Sequence, residues 1–89
     1  MAGPSPGGPV PGPALVLYVR EGCHLCDDFL VALAQDLGAA AEGLAVRDVD
    51  TDPDLALRYG TRVPVLAAAG SVICEGRYDR ARVLAALRV

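Results

Sequence analysis

The sequence has no lysine, one histidine, one phenylalanine and only three cysteines. Each shortage removes a class of function. Without lysine, and with arginines scattered apart from Arg77, Arg80 and Arg82, no basic face can track a phosphate backbone. The net charge of −3 points the same way, and nucleic acid is not an expected partner. No apolar run is long enough to span a bilayer. The first residues carry no basic group ahead of an apolar segment, so they do not read as a secretory signal. A cytoplasmic protein without a membrane partner is the expectation. Three cysteines, two of them close together, cannot build a disulfide scaffold. They suit a reducing compartment and a working thiol pair.

What is present is an apolar fraction of 53%, largely Ala, Leu and Val, enough for a core without staples. Residues 1–13 read MAGPSPGGPVPGP, uncharged and without an apolar face. They are expected to form a disordered, partly polyproline tail. Residues 14–89 remain for one small domain, which at this size buries roughly 60% of its unfolded surface.

The chemistry concentrates in Cys23-His24-Leu25-Cys26. This pair follows an apolar run, Ala14 to Val19, and opens an apolar-periodic stretch ending at Leu37. Strand, tight turn and helix place the first sulfur at a helix N-terminus, where unpaired N–H groups and the macrodipole favour a thiolate. Cys26, Phe29, Leu30, Leu33, Ala34 and Leu37 recur at helical spacing as one buried stripe. Cys26 therefore starts the core stripe, while Cys23 lies at the exposed tip. The expected roles are nucleophile for Cys23 and resolving thiol for Cys26. A structural zinc needs four ligands, and one CxxC with His24 inside it and Cys74 elsewhere is a poor set. No metal is assigned.

The rest of the chain supplies a framework. Ala14 to Val19 has no alternation and predicts a strand buried on both faces. A helix from Cys23 to Leu37 ends at Gly38, and Ala39 to Gly43 is a loop. Leu44 to Val49 is a second strand. Thr51 or Asp52 caps a short helix with Pro53 in its first turn, and Gly60 ends it. Val63 to Ala68 is a third strand with Pro64 near its start. Ala69-Gly70-Ser71 is too short for a crossover, so Val72 to Glu75 must pair antiparallel with it. Gly76-Arg77-Tyr78 turns, and Asp79 caps a last helix carrying Val83, Leu84 and Leu87. The order β-α-β-α-β-β-α gives an α/β fold: a four-stranded mixed sheet with helices on both faces.

This order, the CxxC after the first strand and Val63-Pro64 opening the third together resemble the thioredoxin superfamily, in its shorter glutaredoxin-like form, across residues 14–89. Tyr18-Val19-Arg20-Glu21-Gly22-Cys23 is similar to the glutaredoxin approach to its site, with Arg20 in place of a lysine. Arg62-Val63-Pro64 stands where that family has Thr-Val-Pro, and only Gly76 and Asp79 match its glutathione-holding turn and acid. Thioredoxin itself has a tryptophan before its motif and a buried acid at the position of Leu17; this chain has neither. The resemblance implies a dithiol–disulfide oxidoreductase with Tyr18, Arg20, Val63, Pro64, Gly76 and Asp79 as substrate-binding residues. It further implies a cis Val63–Pro64 bond, presenting the Val63 backbone to an extended disulfide substrate. No bound cofactor is expected, glutathione is a possible co-substrate, and the partner is a disulfide-containing protein or a glutathione mixed disulfide. The protein is expected to be a monomer.

His24 and Arg20 are the expected tuners of the Cys23 thiolate. Cys74 reads as a small buried hydrophobe or as an extra regulatory thiol. Two other functions remain open at this point: a metal or iron–sulfur carrier using Cys23, and a redox-inactive interaction module.

Overall fold

The computed structural model describes residues 15–87. The expected tail at residues 1–13, together with Ala14, Arg88 and Val89, lies outside them. Four strands, β1 (Leu15–Val19), β2 (Ala45–Asp48), β3 (Val65–Ala68) and β4 (Ser71–Glu75), form one sheet in the order β2-β1-β3-β4. β1 and β2 are parallel; β1 with β3 and β3 with β4 are antiparallel. Helices α1 (His24–Leu37), α2 (Pro53–Tyr59) and α3 (Arg80–Ala86) complete the expected element order. No helix among the described residues is long and apolar enough to cross a membrane.

The faces of the sheet carry separate cores. Leu15, Leu17 and Leu66 of the sheet pack with Phe29 and Leu33 of α1, Cys74 of β4 and Val83 of α3. On the other face Val65 packs with Val49 and Tyr59, extended by Tyr18, Leu55 and Val63. The Tyr18 and Tyr59 rings stack there at 4.3 Å. Each fully buried Leu, Val or Phe contributes roughly 1.5–3 kcal/mol, and both layers are needed to hold so small a sheet.

Local chemistry sets the element ends. Asp52 caps α2 by accepting the Asp54 N–H, with Pro53 in the first turn. Asp79 caps α3 by accepting the Arg82 N–H. Ala69 and Gly70 both adopt positive φ (52° and 84°), the pairing that a two-residue hairpin turn between β3 and β4 requires.

Several expectations are corrected. β1 is not buried on both faces: Leu15 and Leu17 are buried, while Val16 and Tyr18 between them are half-buried. Ala39 to Gly43 is not an open loop but belongs to a 3-10 helix, Gly38–Gly43. β2 is shorter than Leu44 to Val49 and mostly exposed, because it is the outer strand; Val49 enters a 3-10 turn (Val49–Thr51) and becomes core. Only Cys26, Phe29 and Leu33 of the proposed α1 stripe are buried. Leu37 packs partly, whereas Leu30 and Ala34 are exposed, Leu30 beside Val46 of β2. Val83 is fully buried but Leu84 is exposed. β3 begins at Val65, so Val63 and Pro64 precede it.

Candidate redox site

Gly22 takes a positive φ of 77°, which turns the chain sharply out of β1. Cys23 follows as the N-cap of α1 rather than its first helical residue (φ −96°, ψ 103°). Its Sγ accepts the Cys26 N–H at 3.1 Å, and its carbonyl accepts the Asp27 N–H at 3.2 Å. The sulfur thus occupies the place of a capping oxygen. A thiolate there keeps a backbone donor and sits at the positive end of a 14-residue helix, so both effects favour the anion. Asp27, in the first turn, opposes it while stabilising the helix.

Cys23 and Cys26 are joined in a disulfide, with Cα atoms 5.2 Å apart. Their environments differ as the stripe implied. Cys23 is half-buried, and Cys26 is 3% exposed. His24 and Leu25 between them are exposed.

Arg20 behaves differently from its expected roles. Its Nε and Nη2 donate to the two carboxylate oxygens of Asp50, at 3.0 and 2.9 Å, and Nη1 donates to the Gly60 carbonyl at 2.9 Å. The Asp50 hydrogen bonds and charge hold the guanidinium above its already high ordinary pKa. The fork therefore ties the residue after β1 to the 3-10 turn ahead of α2 and to the residue that ends α2, and it is engaged rather than presented to a thiolate or a ligand carboxylate. Gly60 was expected only as the end of the short helix, and neither it nor Asp50 was expected as a partner of Arg20. The pairing spans thirty positions, and no local pattern carries it.

The expected substrate residues are distributed as follows. Val63–Pro64 is cis, and Pro64 is buried. Among the described residues no backbone partner takes up the Val63 N–H or C=O. Gly76, at φ 79°, donates its N–H to the Pro64 carbonyl at 2.8 Å, which brings the turn after β4 beside this loop. Asp79 is occupied as the α3 cap. Tyr18 lies on the α2 face, stacked on Tyr59.

A latch missed in sequence holds that turn. The Tyr78 hydroxyl donates to Asp36 at 2.6 Å, Arg80 Nε donates to the other Asp36 oxygen at 3.2 Å, and the Tyr78 ring meets Phe29 edge-on at 5.1 Å. The Tyr78 hydrogen bond, with help from Arg80, lowers the Asp36 carboxyl below its ordinary range despite desolvation. Burial first, and the Asp36 hydrogen bond second, push the Tyr78 phenol well above its ordinary value. Cys74 is buried opposite Leu66, and desolvation raises its thiol pKa.

The family model described as Glutaredoxin-like domain (DUF836) matches residues 14–88. Structural-genomics target protein XcR50 from X. campestris, solved by X-ray diffraction, is 39% identical with a TM-score of 0.67, covering 81% of this chain and 92% of that one. Protein Ne2328 from Nitrosomonas europaea, solved by solution NMR, is 32% identical with a TM-score of 0.73, covering 89% of this chain and 95% of that one. No curated protein matches the chain.

Proposed function

The chain belongs to the glutaredoxin-like family of thioredoxin-fold proteins, and from that premise we propose that it is a dithiol–disulfide oxidoreductase acting in cell redox homeostasis. The observation that carries this reading is the asymmetry of the pair: an accessible sulfur capping α1, bonded to a shielded sulfur one turn inside it.

The cycle begins from the reduced pair. The Cys23 thiolate attacks a substrate disulfide; one substrate sulfur leaves as a thiolate and the other is held as a mixed disulfide. Cys26 loses its proton to solvent and attacks the Cys23 sulfur. The second substrate thiolate departs, and Cys23–Cys26 is left oxidised by two electrons. A thiol reductant, either two glutathione molecules or one dithiol, returns those electrons. The rate follows the thiolate fraction of Cys23 and the quality of the leaving thiolate. Exposed His24 at the first helical position adjusts that fraction. The unpaired Val63 backbone is the proposed edge for an extended substrate, with Pro64 and Gly76 framing it.

Glutathione is proposed to act as an electron source with weak non-covalent recognition. Arg20 already has Asp50 for a carboxylate partner, and the Asp79 carboxylate serves α3. Both would have to exchange partners to hold it. The proposed setting is a monomer in the cytoplasm.

The test is reduction of a protein disulfide with dithiothreitol or glutathione as electron source. Wild type accelerates it with either reductant, and Cys23→Ser abolishes the acceleration. Wild type no faster than reductant alone would leave a redox-inactive module.

A further inference from the structure

A cleft of about 340 Å³ opens between the first half of α1 and the outer strand β2. Val19, Cys26, Leu30 and Val46 supply its apolar lining. Leu30 and Val46 are 38% and 50% exposed, a large apolar exposure for so small a domain. Cys26, 3% exposed, is one of the residues bordering this cleft, which the substrate residues around Val63 do not form.

The charge around the cleft is negative on balance: three carboxylates line it beside one guanidinium, which is bound to a fourth carboxylate, Asp50. Glu21, Asp27 and Asp48 line it. Among the described residues, none of the three is in an ion pair. Arg20 also lines it, but its charge is already matched by Asp50. An anionic ligand is repelled here, and an apolar group flanked by cations is attracted.

The strand edge adds geometry. β2 is outermost in the sheet, with Ala45, Val46 and Arg47 exposed, so its outward backbone groups can receive another extended segment. Val46 and Asp48 are registered with Leu17 and Val19, which pack into the α1-side core, so both belong to the α1 face. In an added strand, residues two apart share a face. The matching pattern is therefore an apolar residue with a cation two positions away on the Asp48 side, and a peptide with a cation on each side of the apolar residue meets it in either strand direction.

We propose that this cleft docks an extended cationic–apolar segment of a protein partner along β2, and that it selects protein disulfides lying beside such segments. The selection of disulfides rests on the oxidoreductase reading; the docking itself does not.

The experiment is an amide NMR titration of the full chain with two capped peptides, Ser-Arg-Ser-Val-Ser-Arg-Ser and its counterpart with Glu in place of Arg. The Arg peptide is expected to shift Leu30, Val46 and Asp48, and the Glu peptide to bind at least about fivefold more weakly at low salt. Val46→Arg, a change at an exposed edge position that leaves the cores intact, should remove the Arg-peptide shifts. Equal binding of both peptides, no shifts with either, shifts confined to Val63 and Gly76, or shifts that survive Val46→Arg would each overturn the proposal. Docking in a protein that fails the disulfide-reduction assay would keep this surface and remove the redox reading; the reverse outcome would do the opposite.

Discussion

Gly60 is a position where one methyl group should be felt throughout the site. It follows α2 with ordinary helical dihedrals (φ −56°, ψ −34°), so alanine meets no backbone prohibition there. The difficulty is space. A Cβ on Gly60 would collide with the Ala56 carbonyl oxygen and lie 3.0 Å from Nη2 of Arg20. The arginine tip can move, but the Ala56 oxygen is backbone and also accepts the Gly60 N–H at 2.9 Å. Relief requires displacing the end of α2, an overpacking of about 1–3 kcal/mol. Loss of unfolded-chain entropy returns about 0.4–1 kcal/mol. Sterics win, with a net destabilisation of about 1–2 kcal/mol. A small domain has about 0.05–0.15 kcal/mol of stability per residue, so this is a large fraction of the whole. With a urea slope of about 1 kcal/mol/M, the unfolding midpoint of Gly60→Ala should fall by about 1–2 M. Arg20→Ala in the same chain should leave most of that loss, because the tighter contact is with backbone. A midpoint that is unchanged or raised would refute the close approach and the clamp built on it.

Other outcomes follow from the titrating groups. Asp36 has a depressed folded pKa, so its contribution is present above about pH 4, the ordinary carboxylate range, and is lost as pH falls through the folded value. Tyr78→Phe should flatten that acid limb in urea midpoints measured between about pH 2.5 and 7. Tyr78 is shifted the other way, so its contribution is complete below about pH 10 and is lost as pH rises towards the folded value; the same variant should flatten the alkaline limb. Cys74 is buried with a raised pKa, so alkylation of the native, reduced chain at neutral pH should leave it unmodified until urea is added, as peptide mass spectrometry would show. Early modification of Cys74 would mean that the β4 side of the core opens readily.

The parts legible in sequence were those set by local chemistry. Asp52 with Pro53, Asp79, and Ala69-Gly70 announced their caps and turn, and the apolar runs between them yielded the strand order. The CxxC placed one sulfur outside and one inside because its spacing matches a helical turn. What was not legible depends on distance in the fold. Val46 reads like any strand valine, and only the sheet order shows that it sits on the outer edge. Leu30 and Ala34 fit the helical stripe but are exposed, and Leu30 borders only the four-residue outer strand β2. Arg20 was read beside the thiol because its partner lies thirty positions away, and Tyr78 reaches Asp36 across forty-two. Side-chain pairings of that reach leave no mark on the residues flanking either partner.

The division of labour between the two thiols is open to one direct measurement. The Cys26→Ser and Cys23→Ser proteins are each reduced, mixed with a glutathionylated peptide, quenched with acid and weighed by mass spectrometry. In Cys26→Ser the attacking thiol is present and the resolving one is missing, so a mixed disulfide should accumulate on Cys23. In Cys23→Ser the remaining Cys26, 3% exposed, should form almost none over the same period. Accumulation on Cys26 in the Cys23→Ser protein, with none on Cys23 in its counterpart, would contradict the assignment of nucleophile and resolving thiol.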